Sequence, residues 1–149
     1  MANQPQVLFL CTGNSARSQM AEAFLKRYAG SHFDVQSAGL EPKGLNPYTI
    51  KVMSETGYDM SEHRSKNLRE FMGHTHSRYV ITVCGHADAS CPRGLWSSGT
   101  KLHWPFEDPA AFEGDEEEKL QRFREIRDQI EQKILSWLQE IGIQPERNE

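Results

Sequence analysis

The chain has 149 residues, a formal net charge of −4 at pH 7 and a sequence pI near 5.9. A chain of this length typically forms one domain with its own hydrophobic core, so we predict a single domain over residues 1–149. Lysines and arginines are scattered along the chain rather than clustered. This pattern excludes the basic surface that is typical of proteins that bind nucleic acid or anionic membranes.

The N-terminal residues predict no targeting segment. Residues 1–6 contain no basic residue, and the apolar run at 7–10 is too short for a signal peptide or a membrane span. We therefore expect a cytoplasmic protein. No apolar stripe that would form a surface interface is evident, so a monomer is the expected state.

The three cysteines are an odd number, which argues against a structural disulfide framework in a reducing compartment. Their positions then become informative. Cys11 directly follows an apolar run, whereas Cys84 and Cys91 lie close together far downstream.

The first predicted elements are a strand, a tight loop and a helix in direct succession. The wholly apolar run at residues 7–10 is typical of a strand buried on both faces of a parallel sheet. From residue 18 to 28 apolar residues recur at helical spacing, and Gly30 follows where a helix commonly ends. This succession indicates the opening of a βαβ unit.

Further elements are predicted downstream. A weaker strand covers residues 35–39, and Asn46 with Pro47 supplies the N-cap and first turn of a helix that runs to about residue 56. Residues 79–83 give the strongest strand signal in the chain. Like the first strand, this one is followed directly by a cysteine, and the carboxyl ends of parallel strands form the sheet edge where ligands bind.

The remaining chain predicts a long loop and a long final helix. Residues 84–99 are rich in glycine, alanine, serine and proline, which predicts a loop that can move. Asp115 and Glu118 have the spacing of a capping box, and an apolar stripe at helical spacing continues to residue 141.

The loop from Cys11 to Arg17 is a candidate oxyanion site. Its position between a strand and a helix points backbone N–H groups inward, and Arg17 can hold two oxygens of an oxyanion in a bidentate geometry. The same positive field favours the thiolate of Cys11, the nucleophilic form, and Ser18 is expected to donate a hydrogen bond to the sulfur. The predicted binding residues are Thr12, Gly13, Asn14, Ser15, Ala16, Arg17 and Ser18.

A structural interpretation of the same residues competes with this one. Cys11 could be a small buried apolar side chain and Arg17 a surface charge of the helix. The preceding strand, Gly13, Asn14 and the following helix are all in the register of a phosphate-type loop, and this context favours the site.

The stretch VLFLCTGNSARSQMAE at residues 7–22 resembles the low-molecular-weight protein tyrosine phosphatase superfamily, and specifically its thioredoxin-coupled arsenate reductases. The resemblance extends over nearly the whole chain. It is carried further by Ser37-Ala38-Gly39, Gly44-Leu45-Asn46-Pro47, Val83-Cys84-Gly85, Cys91-Pro92, Trp104 and Glu107-Asp108-Pro109-Ala110. The implied fold is α/β, with a four-stranded parallel sheet flanked by helices in a single three-layer domain.

The resemblance implies a thiol relay without a metal or a cofactor. Cys11 forms an adduct with arsenate, Cys84 attacks the Cys11 sulfur and releases arsenite, and Cys91 then attacks Cys84. Thioredoxin would reduce the disulfide that joins Cys84 and Cys91, and phosphate or sulfate would compete with arsenate as oxyanions. Asp108 would act as the general acid. From spacing alone, an aspartate before Pro109 is an ordinary turn residue.

The cysteines decide between two enzymatic interpretations. Reducing As(V) to As(III) consumes two electrons, so it needs a second thiol and a place to store the disulfide. The alternative is a phosphatase of phosphotyrosine or aryl phosphates, which uses Cys11, Arg17 and Asp108 while Cys84 and Cys91 are structural.

A non-catalytic oxyanion-binding module is a third possibility. A zinc site of Cys84, His86, Cys91 and His103 is disfavoured, because these residues lack closely paired cysteine spacing.

The chain departs from the family pattern at two positions. Ala16 stands where relatives commonly have a cysteine, so the relay must use Cys84. Some reductases of the family bind potassium through residues that match Asn14, Glu22 and Ser37 and through an aspartate whose position aligns with Lys66. A lysine ammonium would oppose a cation there and could stand in for it, so we predict activity that is independent of potassium.

The disulfide predicted by the relay also requires a change of shape. Two bridged cysteines need Cα atoms within about 7 Å of each other. We therefore expect the segment from Cys84 to about Gly99 to rearrange between the reduced and oxidised forms, which different amide exchange in the two forms would reveal.

Overall fold

A computed structural model of the chain describes residues 4–72, 76–91 and 99–146. Its centre is a parallel sheet of four strands in the order β2-β1-β3-β4. The strands are β1 (Gln6–Cys11), β2 (Asp34–Gly39), β3 (Tyr79–Thr82) and β4 (Thr100–His103). The prediction of a four-stranded parallel sheet is confirmed.

The central strand is buried as its apolar sequence predicts. Residues 7–10 have no exposed surface, because β1 lies between β2 and β3 in the sheet and helices pack against it. Leu10 is opposite Ala38 of β2 and Thr82 of β3. The carboxyl ends of the three strands therefore meet at one edge of the sheet.

Within the described residues, four α-helices accompany the sheet: α1 (Arg17–Ala29), α2 (Pro47–Ser54), α3 (Gly85–Ala89) and α4 (Glu116–Glu140). The predicted capping box is present, since the Asp115 side chain accepts a hydrogen bond from the Glu118 backbone N–H and the Glu118 carboxylate accepts one from that of Asp115. The predicted apolar stripe of α4 is buried, and α4 packs against both α1 and α2. In the part of the chain that the structure describes, no helix has both the length and the apolar character needed to cross a bilayer.

Two elements differ from the sequence-based expectation. The segment predicted as a loop after Cys84 begins instead with the short helix α3, which Ala87 anchors through a fully buried side chain. The fourth strand, β4, was not visible in the residue pattern, because it is an edge strand without buried side chains. The part of the predicted loop at residues 92–98, which includes Trp96, lies outside the described residues. The same is true of His74.

Candidate active site

The sheet register brings two thiols to the same edge. Cys11 ends β1, and the backbone N–H of Val83, just after β3, donates to the Leu10 carbonyl at 2.9 Å. Cys84 therefore lies next to the start of the loop from Cys11 to Arg17, which we call the anion loop. Its Sγ lies 3.4 Å from the Thr12 hydroxyl oxygen. Both thiols lie at the carboxyl edge of the sheet, as the sequence predicts.

The loop after β1 turns around the Cys11 sulfur. The backbone N–H of Asn14 donates to Cys11 Sγ at 3.1 Å, and the Ser18 hydroxyl oxygen lies 2.8 Å from the same sulfur. Asn14 has a φ of 48°, and within residues 4–72, 76–91 and 99–146 no other non-glycine residue has a positive φ. Asparagine tolerates this left-handed conformation better than most residues. The turn is what directs the Asn14 N–H at the sulfur.

Hydrogen-bond direction assigns the Ser18 proton to Cys11. The side-chain amide of Asn14 donates to the hydroxyl oxygens of Ser18 and Ser37, at 2.8 and 2.9 Å. Because Ser18 accepts this bond, its own proton is available to the Cys11 sulfur. The Cys11 sulfur is thus contacted by one O–H and one N–H donor.

A second layer of buried polar groups holds Asn14 in place. The Gln19 side-chain amide donates to Asn14 Oδ1 at 2.9 Å, and its carbonyl oxygen lies 2.9 Å from His63 Nδ1. Nδ1 must therefore carry the His63 proton, which leaves Nε2 to accept a hydrogen bond from the Tyr58 hydroxyl at 2.8 Å. Burial lowers the pKa of His63 and raises the pKa of Tyr58 to about 12, so both are neutral at pH 7.

No motif in the sequence marks this layer. Gln19 occupies a fully buried position in α1, where a polar side chain needs partners within the protein. A polar side chain at a buried position of a helix indicates that a hydrogen-bond partner lies nearby. The sequence alone does not show which part of the chain supplies that partner. His63 and Tyr58 come from a segment without regular secondary structure, so no periodicity places them beside α1.

A buried charge cluster lies next to this layer. Glu22 and Lys66 have side chains that are 2% and 8% exposed, and Glu22 Oε1 lies 3.5 Å from Lys66 Nζ. Burial alone would raise the pKa of Glu22, but the positive charge of Lys66 and hydrogen bonds from Lys26 and Ser37 outweigh it and lower the pKa. A carboxyl whose pKa falls on folding stabilises the fold above its ordinary value of 4.5, and this stabilisation is lost as the pH falls below that value.

A potassium ion does not fit this cluster. Asn14, Glu22 and Ser37 do converge, since Asn14 donates to Ser37 and Ser37 donates to Glu22. However, the Lys66 ammonium contacts the same Glu22 oxygen that Ser37 binds and also lies 3.3 Å from the Arg64 carbonyl oxygen. A cation in this place would meet a like charge instead of the oxygen ligand it requires.

We expect the reaction rate to be the same in potassium and in sodium salts at equal ionic strength. A Lys66→Met variant removes the ammonium from the buried Glu22 and is expected to lose about 3 kcal/mol of unfolding free energy, the lower end of the cost of breaking a buried ion pair, because Lys26 and Ser37 still contact the carboxylate. In that variant potassium should raise the Tm measured by calorimetry. A clear increase of the native enzyme's rate on replacing sodium by potassium would contradict this interpretation.

Gly39 allows the anion loop to pack on the end of β2. A Cβ atom at this position would lie 2.6 Å from the Thr12 carbonyl oxygen and 2.9 Å from the Asn14 backbone nitrogen. These backbone atoms belong to the loop that holds the Cys11 sulfur, so they cannot move without disturbing it. Only glycine fits here.

Gly39→Ala is therefore expected to weaken phosphate binding and to lower the reaction rate about 100-fold, since a shift of about 1 Å in a reacting group has this effect. Phosphate affinity can be measured by calorimetry. The matched control for phosphate affinity is Gly85→Ala, whose added Cβ would meet no atom within 4 Å. Native phosphate affinity in Gly39→Ala would refute the expectation.

Arg17 and Asp108 face each other at the mouth of the anion loop. Arg17 Nη1 donates to the Phe106 carbonyl at 3.0 Å, and Nη2 lies 3.8 Å from Asp108 Oδ2. The other carboxylate oxygen, Oδ1, accepts a hydrogen bond from the Ala110 N–H at 3.0 Å and so caps a short 3₁₀ turn, Pro109–Ala111. The turn-residue interpretation and the general-acid interpretation of Asp108 are thus compatible, because one oxygen caps the 3₁₀ turn and the other faces Arg17.

The space between these groups is a cavity of about 460 Å³. Its lining includes Cys11, Arg17 and Asp108, together with Lys43 from the segment after β2. No aromatic side chain is among the described residues that line it. The cavity therefore combines two cations with a thiol and a carboxyl group, which suits a small tetrahedral oxyanion.

Cys84 and Cys91 lie at the two ends of α3. Cys84 is the N-cap of α3, where its Sγ accepts a hydrogen bond from the Ala87 N–H at 3.4 Å, and Cys91 follows the C-cap residue Ser90. Cys84 is buried, Cys91 is half-buried, and both are thiols in this structure. Within the described ranges, no three His, Cys, Asp or Glu side chains are grouped as a metal site requires, which gives the zinc alternative no support.

A cysteine and an arginine in an oxyanion loop between β1 and α1, with an aspartate across the cavity, define a class of enzymes in which a thiolate attacks a tetrahedral anion. The sequence profile of the low molecular weight phosphotyrosine protein phosphatase family matches residues 6–147, and the chain belongs to this family. The resemblance seen in the sequence is thereby confirmed.

Two curated relatives of this chain are arsenate reductases. The chain is 44% identical over 135 residues to the arsenate reductase of Halalkalibacterium halodurans. This alignment covers 91% of this chain and 96% of the relative. It is also 44% identical over 124 residues to the arsenate reductase of Bacillus subtilis, covering 83% and 88%.

Solved structures agree with these relatives. An arsenate reductase in the phosphate-binding state matches with a TM-score of 0.76 and 30% identity, over 93% of this chain and 99% of that one. The thioredoxin-dependent arsenate reductase of Corynebacterium glutamicum matches with a TM-score of 0.70 and 32% identity, over 95% of this chain and 63% of that one.

Proposed function

We propose that this protein is an arsenate reductase in which Cys11, Cys84 and Cys91 form a thiol relay that thioredoxin regenerates. One observation carries the proposal. The buried Cys84 thiol lies 3.4 Å from the Thr12 hydroxyl, next to the loop that surrounds Cys11. The third thiol, Cys91, lies at the other end of α3. A phosphatase has no use for this arrangement, whereas a two-electron reduction requires it.

The first step is the attack of Cys11 on arsenate. The Ser18 hydroxyl and the Asn14 N–H contact the attacking sulfur, and Arg17 binds the oxygens of the anion. An As–S bond forms and one arsenic-bound oxygen leaves as water. Asp108, at the mouth of the loop, supplies the proton for that oxygen.

The second step transfers two electrons to arsenic. Cys84 attacks the Cys11 sulfur, so that an S–S bond forms while the electron pair of the As–S bond remains on arsenic, which leaves as As(III) arsenite. Cys91 then attacks the Cys84 sulfur and frees Cys11 as a thiolate. Two electrons from thioredoxin reduce the resulting disulfide between Cys84 and Cys91 and complete the cycle.

The substrate range and the compartment follow from the same chemistry. Phosphate and sulfate have the tetrahedral shape of arsenate, so we propose that they compete for the loop. Because the relay starts from reduced thiols, we propose that the protein acts in the cytoplasm, a reducing compartment. We infer a monomer, since all three thiols and the anion loop lie in one chain.

The experiment is the oxidation of NADPH by the reduced protein with thioredoxin and thioredoxin reductase. We expect oxidation to start on addition of arsenate and not on addition of phosphate, which should inhibit competitively. Hydrolysis of an aryl phosphate that depends on Cys11, without any arsenate-dependent oxidation of NADPH, would instead establish the phosphatase alternative.

A further inference from the structure

The helix that separates Cys84 from Cys91 is fastened to the sheet by one carboxylate. Asp88 of α3 accepts a hydrogen bond from the Thr82 hydroxyl of β3 at 3.1 Å and forms an ion pair with Lys101 of β4. His103 of β4 approaches the same carboxylate oxygen at 3.7 Å, and its Nδ1 lies 2.8 Å from the Thr82 hydroxyl oxygen. We call these four residues the Asp88 anchor.

The anchored helix is incompatible with the disulfide of the relay. The backbone N–H groups of Asp88 and Ser90 donate to the carbonyls of Cys84 and His86, at 3.1 and 3.2 Å, so α3 is a closed helical segment. Seven residues of helical rise separate two Cα atoms by roughly 10 Å. A disulfide allows at most about 7 Å between Cα atoms. α3 must therefore unwind before Cys91 can reach Cys84.

We infer that Asp88 is a positioning residue that holds α3 in its dithiol form, so that release of the Asp88 anchor accompanies formation of the disulfide between Cys84 and Cys91. This inference rests on the proposed relay. Its own evidence is the convergence of Thr82, Lys101 and His103 on a side chain midway between the two thiols.

The anchor acts through the equilibrium between the two redox forms. The hydrogen bond from Lys101 lowers the pKa of Asp88, so the side chain is a carboxylate at neutral pH and the ion pair is present. Contacts made only in the dithiol form stabilise that form and oppose the disulfide. Loss of the anchor should therefore make the disulfide harder to reduce.

The test is the dithiol–disulfide equilibrium of the full chain in mixtures of reduced and oxidised dithiothreitol. A Cys11→Ser background isolates the Cys84–Cys91 pair, and thiol alkylation with mass spectrometry counts both forms. We expect Asp88→Asn to shift the equilibrium constant about fivefold toward the disulfide, which is about 20 mV for a two-electron couple. Lys101→Met should shift it in the same direction, and the double variant should shift it by less than the product of the two single effects.

The matched control is Glu55→Gln. Glu55 is 34% exposed, close to the 32% of Asp88, and it forms ion pairs with Arg124 and Arg127, which lie on α4 and away from α3. Its substitution removes the same charge and should leave the equilibrium unchanged.

The possible outcomes separate the anchor from the relay. A disulfide that forms with the same equilibrium constant in the background protein, in Asp88→Asn and in Lys101→Met overturns the anchor and leaves the relay intact. A background protein that forms no Cys84–Cys91 disulfide overturns the relay itself, and the anchor with it. Lys101→Met keeps the test decisive if circular dichroism shows that Asp88→Asn does not fold.

Discussion

Cys91→Ala is expected to lower steady-state arsenate turnover with thioredoxin to below about a hundredth of the native rate, yet to release a single equivalent of arsenite. The reason lies in the order of the thiols. Cys84 stands beside the anion loop and can complete the reduction, but without Cys91 the enzyme stops as a disulfide between Cys11 and Cys84. Arsenite released from stoichiometric enzyme, measured together with NADPH oxidation, reports both quantities.

Cys84→Ala is the matched control for this variant. It keeps Cys11, Arg17 and the anion loop, but it removes the thiol that attacks the Cys11 sulfur and thereby leaves the electron pair of the As–S bond on arsenic. We expect no arsenite from it, even in a single turnover. Repeated turnover by Cys91→Ala at the native rate would contradict the three-thiol relay.

Asp108→Asn is expected to lower the single-turnover rate of arsenite release about 100- to 1,000-fold, the usual contribution of a general acid. An asparagine oxygen can still accept the hydrogen bond from the Ala110 N–H, so the short turn at Pro109–Ala111 should persist. The loss would then belong to the oxygen that faces Arg17 and the anion. Rapid-quench measurement of arsenite at saturating arsenate gives the rate.

Glu107→Gln serves as the control for the neighbouring charge. Glu107 has a side chain that is 78% exposed and lies 3.5 Å from Arg122 of α4, so its substitution removes a charge beside Asp108 without touching the cavity. We expect its rate to stay within about twofold of the native rate. An equal effect of both substitutions would indicate a general electrostatic contribution and no acid at Asp108.

The sequence predicted the parts of the fold that have a strong local signal. The apolar run at residues 7–10, the Asn46–Pro47 helix start and the stripe of α4 each became the element expected from them. β4 and α3 were missed for different physical reasons. β4 has no alternation because it is an edge strand, and α3 is only five residues long in a segment rich in helix breakers.

The candidate site was predictable where one motif carries it. The segment from Cys11 to Ser18 is continuous in sequence, so its loop could be assigned from residue types alone. The groups that support it come from distant segments, as in the chain from Asn14 through Gln19 and His63 to Tyr58. Only the tertiary structure brings these together, because no local pattern specifies which buried polar side chains become partners.

The Asp88 anchor shows the same limit. Asp88 is separated from Lys101 and His103 by 13 and 15 positions, and nothing in the sequence pairs them. The parallel pairing of β3 with β4 aligns Thr82 with His103 and so creates the surface on which α3 is fastened.

The order in which disulfides appear during one turnover tests the relay at its chemical core. Reduced native protein is mixed with arsenate without thioredoxin, quenched in acid at successive times, alkylated and mapped by peptide mass spectrometry. The relay predicts a linkage between Cys11 and Cys84 first, replaced by one between Cys84 and Cys91 as arsenite accumulates. Arsenite release while Cys84 and Cys91 both remain alkylatable thiols would contradict it.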